Sequence, residues 1–210
     1  MIILFGYEIF QDRRSQRNNL KIPIMRFFIA LEIPTENLSQ FQVIQDNLQK
    51  LIPQIKITDV DKIHLTLAFL GEQSDALKDT LVNIITQAVK EIHPFEVTPA
   101  YIDGFPNIHH ANVLWVGVKG DIDKLLLIRE YIKDGLDNLH LPVDERRFVP
   151  HITIGKFTEQ LEIDRNLEVN LEKIMAQSFD PIKITSIKLF QSIANEGAHS
   201  HNTLAEIKLI

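Results

Sequence analysis

The sequence predicts a two-lobed fold in which strands and helices alternate and the two lobes face each other across a cleft. The triplet His-x-Thr occurs in two apolar, strand-like stretches that begin at His64 and His151, 87 positions apart. The strands and helices around the two triplets repeat with the same offset, which is what an internal duplication leaves behind. Duplication of a lobe generates an approximate two-fold axis, so the two motif strands are expected to face each other.

The first half is predicted to contain three strands separated by two helices. Short runs of apolar and β-branched residues predict the strands at residues 27–33, 63–70 and 95–102. Apolar residues at helical spacing predict the helices, from Leu38 to Leu51 and from Leu77 to Ile92. The Gly, Pro and Asn content of residues 103–111 predicts a loop after them.

The second half repeats this order. Strands are predicted at residues 113–118, 151–157, 182–190 and 203–210, with helices from Leu125 to Leu139 and from Leu167 to Met175. The pairs Pro94 with Pro181 and Phe28 with Trp115 keep the offset of 87. No linker rich in Gly or Ser separates the halves, so we expect them to pack as one body.

Alternation within the motif strands assigns their side chains to faces, because residues two apart on a strand share a face. In the first strand this predicts one face with His64, Thr66, Ala68 and Leu70, and a core face with Leu65, Leu67 and Phe69. In the second it predicts one face with His151, Thr153 and Gly155, and another with Ile152, Ile154 and Lys156. Each histidine would therefore lie beside a threonine, and both side chains can contact one small oxyanion.

Composition is that of an ordinary soluble globular protein: 210 residues, 45% hydrophobic and 24% charged. The formal net charge of −6 argues against a broad basic surface for long duplex nucleic acid, but it permits a small basic pocket. No run of about 18 apolar residues indicates a membrane span. The absence of cysteine excludes disulfides and Cys-ligated zinc and is compatible with the cytoplasm, where we expect the protein to act.

Residues 1–24 differ in character from the rest of the chain. They open with a short apolar run and then turn polar, whereas a secretory signal places its charges before its apolar run. We expect residues 1–24 to be an upstream extension that is not native, and residues 25–210 to form one domain with lobes made from about 25–105 and 111–210. The intact mass of the native protein tests this, because a species beginning at Met1 would contradict it.

The motifs and the stretches around them resemble a known family. MRFFIALEIP, HLTLAFLG and FVPHITI are similar to the two-histidine phosphoesterases, and among these to the bacterial and archaeal RNA 2′,3′-cyclic phosphodiesterases, also called 2′-5′ RNA ligases. The resemblance covers about residues 25–210. It implies an α+β fold, a bilobal internal duplication with antiparallel sheets flanking a central cleft and helices packed outside. It also implies hydrolysis of a 2′,3′-cyclic phosphate to a 2′-phosphomonoester, with no metal or other cofactor.

Two imidazoles suit this reaction, which needs a base for the water and an acid for the leaving ribose oxygen. A histidine pKa near 6.5 allows one ring to be neutral and the other protonated at neutral pH. The hydroxyls of Thr66 and Thr153 can donate hydrogen bonds to the non-bridging oxygens, where charge develops. The resemblance makes His64 the proton donor and His151 the proton acceptor, but the near-symmetry of the motifs leaves that choice open from the residues alone.

Lys156 and Phe148 are substrate-binding candidates by the same resemblance. Lys156 stands where family members carry Arg or Lys, and it would contact the phosphate or nucleotide; a solvated surface lysine is the ordinary alternative. Strict alternation points Lys156 away from the histidines, so a bulge or the strand end must re-aim it. Phe148 resembles the aromatic that precedes Pro-His in the family and can stack on a base, although core packing explains it equally well.

The other histidines do not predict a metal site. His109 and His110 are adjacent in the predicted loop, and His199 and His201 form His-x-His, without carboxylates at ligand spacing. We expect all four to be exposed loop residues. His201 also stands where relatives commonly show Tyr, which bears on how the nucleoside is held.

The sequence thus predicts a monomeric enzyme that hydrolyses 2′,3′-cyclic phosphates at RNA 3′ ends or in nucleosides. Reverse 2′-5′ RNA ligation is expected only as a weak side activity, because hydrolysis competes at the same site. Two alternatives stay open: a non-catalytic nucleotide-binding module, and a phosphodiesterase for another small cyclic phosphate ester. Loss of one motif histidine would favour the binding module, and both are present here.

Overall fold

The computed structural model describes residues 24–141, 147–195 and 198–210. Its strands are β1 (Ile24–Glu32), β2 (Lys56–Ile57), β3 (His64–Ser74), β4 (Phe95–Asn107), β5 (His110–Gly120), β6 (His151–Glu162), β7 (Ile182–Ile184), β8 (Ser186–Asn195) and β9 (Ala198–Lys208). Its α-helices are α1 (Leu38–Leu51), α2 (Lys78–Ala88), α3 (Ile122–Asp137) and α4 (Arg165–Ile174).

All strands belong to one sheet in the order β7-β4-β5-β6-β3-β1-β8-β9, with β2 beside β6. The pairings between neighbouring strands are antiparallel. The two motif strands, β3 and β6, meet at the centre through the pair Leu65–Ile152, which joins the two predicted sheets into a continuous one. The α+β prediction with antiparallel strands is confirmed.

The helices cover one face of the sheet because each of them carries an apolar stripe. The buried members of these stripes are Phe41, Ile44 and Leu48 in α1, Leu81, Ile85 and Ala88 in α2, Leu125, Ile128, Ile132 and Leu136 in α3, and Leu171 in α4. Helix α2 packs against α3, and α1 packs against α4. Among the described helices, none is both long enough and apolar enough to cross a membrane.

Strand β1 is buried on both faces, as a central strand should be. Phe27, Ile29 and Leu31 belong to the large core beneath the helices. Phe28 and Ala30 point to the opposite face, where they form a second, small apolar cluster with Phe190 of β8. This second face, which none of the described helices covers, is called the cleft face below.

Strand pairing crosses between the two halves of the sequence. Strand β4 pairs with β5, and β8 pairs with β1, so each side of the sheet is completed by a strand from the other half. The two sides therefore do not coincide with the lobes predicted at 25–105 and 111–210, and that division stays a prediction. The predicted extension, apart from Ile24, lies outside the described residues.

The predicted loop at residues 103–111 is wrong. Strand β4 runs to Asn107 and β5 begins at His110, so the two form a tight hairpin, and the Asn107 side chain accepts hydrogen bonds from the backbone N–H groups of His109 and His110. Pro106 is tolerated because β7 pairs only with the far end of β4, at Phe95–Val97. None of the described strands pairs with the outer edge of β4 at Pro106, so no ladder among them needs the missing N–H on that side.

Two equivalent bulges interrupt the alternation of the motif strands. In β3, Ala30 pairs with Thr66 and Ile29 with Ala68, which leaves Leu67 as the extra residue. In β6, 87 positions later, the extra residue is Ile154. A bulge reverses the faces of the residues that follow it.

The faces predicted beyond these bulges are consequently wrong. Ala68 and Gly155 turn to the core, while Phe69 and Lys156 turn to the cleft face. Gly155 lies opposite the fully buried Leu114. This bulge provides the re-aiming of Lys156 that its predicted role requires.

Substituting Gly155 should destabilise the fold through Ile55. An added Cβ at Gly155 would lie 2.5 Å from Cδ1 of Ile55, which is itself buried. We expect Gly155→Ala to lower the free energy of unfolding by about 1–3 kcal/mol, the usual cost of overpacking. In a urea-unfolding cycle with Ile55→Ala, the double variant should lose less than the sum of the single losses. Additive losses would contradict this contact.

Candidate active site

The two motif strands bring both histidines and both threonines to one place. Leu65 and Ile152 face the core, so their neighbours along the strands point to the cleft face. The antiparallel register around this pair sets His64 opposite Thr153, and likewise Thr66 opposite His151. All four side chains are half-buried. The centre of the cleft face thus presents two His–Thr combinations related by an approximate two-fold.

Both histidine rings are fixed by the same contact. Nδ1 of His64 donates to the carbonyl oxygen of Lys62 at 2.9 Å, and Nδ1 of His151 donates to that of Val149 at 2.7 Å. A carbonyl can only accept, so Nδ1 carries the hydrogen in each ring. Nε2 is then left to take up or release a proton, the arrangement that acid–base catalysis by histidine uses.

Burial lowers the pKa of both histidines below 6.5, and the hydrogen bonds to the backbone carbonyls oppose that shift. The pKa of His64 is lowered further by the nearby charges of His201, His151 and Lys156. The site without substrate therefore favours neutral rings. A bound phosphate dianion or monoanion would act in the opposite direction, because negative charge stabilises imidazolium.

Acid should destabilise the protein through these two rings. Their folded pKa values are depressed, so below pH 6.5 the unfolded chain binds more protons than the folded one. The free energy of unfolding should fall as the pH drops from 6.5 through the folded pKa values, with little contribution from these rings above pH 7. Urea unfolding at pH 5 and 7.5 should show a smaller acid loss in a variant with His64→Gln and His151→Gln. An equal loss in wild type and variant would refute this linkage.

An aromatic cluster surrounds His64. The Phe28 ring lies 5.1 Å from the His64 ring and stacks on Phe190 at 4.9 Å. His201 of β9 contacts His64 edge-on at 5.5 Å and Phe190 at 5.0 Å. The prediction that His201 is an exposed loop residue is therefore wrong, because pairing with Ser192 carries it into the cleft.

A second aromatic cluster surrounds His151. Phe105 contacts the His151 ring edge-on at 4.9 Å, and Trp115 lies 5.6 Å away. The predicted equivalence of Phe28 and Trp115 is off by two residues, because Trp115 pairs with Thr153 whereas Ala30 pairs with Thr66. Sequence reasoning missed Phe105 and Phe190, which are related by an offset of 85 instead of 87.

The two substrate-binding candidates differ in position. Lys156 is exposed on the cleft face, pairs with Lys56 of β2, and is close enough to His64 to lower its pKa. Phe148 is half-buried against the core with its ring 5.8 Å from the Arg129 guanidinium. This placement of Phe148 favours the core-packing alternative over stacking on a base.

No group of three or more metal-ligating side chains occurs in the part of the chain that the structure describes. His109 is exposed in the β4–β5 turn, and His110 is exposed at the start of β5. The side chain of His199 lies outside the described residues. The functional side chains that the described residues bring to the cleft face include imidazoles, hydroxyls and the Lys156 ammonium group.

A family model described as the 2′-5′ RNA ligase superfamily matches residues 34–189. The chain belongs to this superfamily. The resemblance found in the sequence is confirmed. Within the 2′-5′ RNA ligase superfamily, curated relatives include the RNA 2′,3′-cyclic phosphodiesterase of Methanocaldococcus jannaschii, 28% identical over 87% of this chain and 99% of that protein. The protein of that name from Thermotoga maritima is 30% identical over 63% of this chain and 70% of its own length.

Solved structures share the fold. TT0787 of Thermus thermophilus superposes with a TM-score of 0.70 at 19% identity, covering 88% of this chain and 98% of that one. Escherichia coli LigT, solved in complex with 3′-AMP, superposes with a TM-score of 0.67 at 20% identity, covering 89% of this chain and 99% of that one. At these identities the likeness concerns the fold alone.

Proposed function

We propose that this protein hydrolyses 2′,3′-cyclic phosphodiesters, at RNA 3′ ends or in nucleotides, to 2′-phosphomonoesters by paired histidine catalysis. The observation that carries the proposal is the pair of half-buried rings on adjacent strands, each held by an Nδ1 hydrogen bond to the carbonyl two residues before it. The name RNA 2′,3′-cyclic phosphodiesterase borne by several curated relatives supports the substrate class.

The proposed reaction is an in-line displacement at phosphorus. Neutral His151 takes a proton from water through Nε2 as the water oxygen bonds to phosphorus. The bond from phosphorus to the ribose 3′ oxygen breaks, and protonated His64 gives its proton to that oxygen. The products are a 2′-phosphomonoester and a free 3′ hydroxyl. Each positioned proton transfer contributes typically about 10²–10⁴-fold.

Negative charge grows on the non-bridging oxygens during this displacement. Thr66 and Thr153, each on the strand of one histidine, are proposed to donate hydrogen bonds to these oxygens. Lys156, turned to the cleft face by the bulge at Ile154, would add a positive charge. None of these contacts needs a metal ion, so we propose a metal-independent reaction.

The acid and base roles rest on the family resemblance. Burial, and after it the positive charges near His64, lower the pKa of this ring and favour its neutral form before substrate binds, which runs against a role as acid. The negative charge of a cyclic phosphate between the rings raises both pKa values, so protonation of His64 is proposed to accompany substrate binding.

We further propose that the protein acts as a monomer in the cytoplasm, which light scattering and cell fractionation can test.

The decisive test is hydrolysis of a nucleoside 2′,3′-cyclic phosphate in EDTA with identification of the product. Release of the 2′-phosphomonoester at a rate that chelation does not change supports the proposal. A 3′-phosphomonoester, or inactivation by EDTA, contradicts it. Binding without turnover would instead favour the nucleotide-binding module, and turnover of a non-nucleotide cyclic ester alone would favour the other phosphodiesterase.

A further inference from the structure

Lys56 of β2 lies beside Lys156 on the cleft face. The two residues are directly opposed in the antiparallel ladder of β2 and β6, and both side chains are exposed. Residues opposed in this way share a face and have their Cβ atoms about 4.5–5.5 Å apart. Because Lys156 is turned to the cleft face, Lys56 is on that face as well. Two lysine side chains therefore start from neighbouring positions on the face that carries the histidines.

This arrangement is unfavourable for the fold, since like charges directly opposite each other on neighbouring strands are destabilising. The chain has 28 acidic residues and 22 lysines and arginines, so carboxylates are in excess. Lys62, Lys188 and Lys208 each form an ion pair with one of them. None of the described carboxylates forms an ion pair with Lys56 or Lys156. The described residues thus bring two positive charges together without a carboxylate bound to either.

The backbone beside Lys56 is nevertheless firmly held. Ile55 is buried in the core. The backbone N–H of Thr58 donates to the carbonyl oxygen of Ile154, the bulge residue of β6, at 3.1 Å. The buried side-chain amide of Gln45 in α1 donates to the carbonyl oxygens of Thr58 at 2.7 Å and of Ile154 at 3.2 Å. The fold therefore fixes β2 against the bulge and keeps Lys56 opposite its like-charged partner.

A second anion in the substrate would account for the second lysine. The proposed reaction assigns the charge of Lys156 to the cyclic phosphate and leaves Lys56 without a role. The terminal ribose of an RNA chain carries two phosphates, the cyclic one on its 2′ and 3′ oxygens and the internucleotide one on its 5′ oxygen. Two anions on one ribose match two ammonium groups on neighbouring strands.

We propose that Lys56 binds the phosphate on the 5′ oxygen of the terminal ribose, which is the internucleotide phosphate of an RNA end; this inference rests on the proposed function. Positively charged grooves follow the backbone of single-stranded nucleic acids without regard to base sequence. A bound anion replaces the repulsion between the two lysines with attraction. The contact would make the protein prefer RNA ends to nucleosides that have a 5′ hydroxyl.

The test compares three substrates: adenosine 2′,3′-cyclic phosphate, the same compound with a 5′-phosphate, and the dinucleotide of two adenosines that ends in a 2′,3′-cyclic phosphate. Wild type is compared with Lys56→Gln and Lys56→Arg. The control is Lys50→Gln, which removes an equal charge from an exposed lysine of α1 in the helix layer. Calorimetry with adenosine 2′-phosphate and adenosine 2′,5′-bisphosphate measures binding in parallel, because it does not depend on turnover.

Lys56→Gln should lower kcat/KM for the two substrates with a 5′-linked phosphate by about 5- to 10-fold, the effect of one exposed charge-assisted contact. The substrate with a 5′ hydroxyl should change less than about 2-fold. For the dinucleotide, the slope of log kcat/KM against log salt concentration should become shallower by about 0.7, the value for one phosphate of a single strand. Lys56→Arg should retain most of the preference, and Lys50→Gln should match wild type.

Equal effects on all three substrates, or none, would overturn the second contact while leaving hydrolysis by wild type intact. An effect on the 5′-phosphorylated mononucleotide alone would overturn the assignment to an RNA chain. Absence of turnover in wild type, with binding of the bisphosphate still dependent on Lys56, would reject the proposed reaction and support the second phosphate site. Thermal unfolding of Lys56→Gln should occur at or above the wild-type temperature, since the substitution relieves repulsion; a lower temperature would contradict the unfavourable pairing.

Discussion

His64→Ala and His151→Ala should each lower kcat/KM for a nucleoside 2′,3′-cyclic phosphate by at least about 100-fold, because each removes one of two positioned proton transfers. The double variant should have a kcat/KM only slightly below that of the less active single variant. The two proton transfers belong to one displacement, and the effects of groups that act as a unit are not additive. Steady-state kinetics in EDTA measures all three. Retention of more than a tenth of wild-type activity in either single variant would reject paired catalysis.

The matched control is His110→Ala, which removes an exposed imidazole at the start of β5 and should leave the kinetics unchanged. Urea unfolding at pH 7.5 should show that the His64 and His151 variants remain folded. Their rings are half-buried at the edge of the aromatic clusters, so a modest stability change is compatible with an intact cleft.

The same variants can assign the acid and the base. A p-nitrophenyl phosphodiester carries a leaving group that departs without protonation, so the variant that lacks the acid should regain much of its activity on this substrate. The variant that lacks the base should not. Recovery in His64→Ala would support His64 as the donor, and recovery in His151→Ala alone would reverse the two roles.

The centre of the site could be predicted from the sequence because its determinants are local. Alternation over a few residues places His64 with Thr66 and His151 with Thr153, and both pairs precede the bulges that break the pattern. The offset of 87 then requires the two pairs to occupy equivalent positions. Even the carbonyls that hold the rings follow this offset, since Lys62 and Val149 are each two residues before a histidine.

The rest of the cleft depends on pairing between distant strands, which alternation does not report. A bulge can be recognised only when the partner strand is known. Alternation alone therefore predicts Phe69 in the core and Lys156 on the face away from the histidines, whereas the bulges turn both to the cleft face. Phe105 was missed because Gly and Pro beside it indicate a loop, although an uncovered sheet edge accommodates that proline. His201 reaches His64 only through the pairing of β9 with β8.

Thr66→Val and Thr153→Val should each lower kcat by about 100-fold, the usual cost of one donor to a developing oxyanion. Valine keeps the shape and β-branching of threonine, so the strand and its packing should persist while only the hydroxyl is lost. The loss should fall on kcat more than on KM, because the hydrogen bond strengthens as charge accumulates in the transition state. Steady-state kinetics with a nucleoside 2′,3′-cyclic phosphate measures kcat and KM separately.

Serine at each position provides the matched control, because Thr66→Ser and Thr153→Ser keep the hydroxyl and remove only a methyl group. Both should retain activity within about 10-fold of wild type, reflecting looser rotamers and not a lost donor. If valine and serine variants lose activity alike, the threonines act by packing and the oxyanion role is wrong. If only one valine variant is impaired, a single threonine serves the phosphate. The chemistry would then be asymmetric, as are the two equivalent positions after the bulges, which hold Phe69 in β3 and Lys156 in β6.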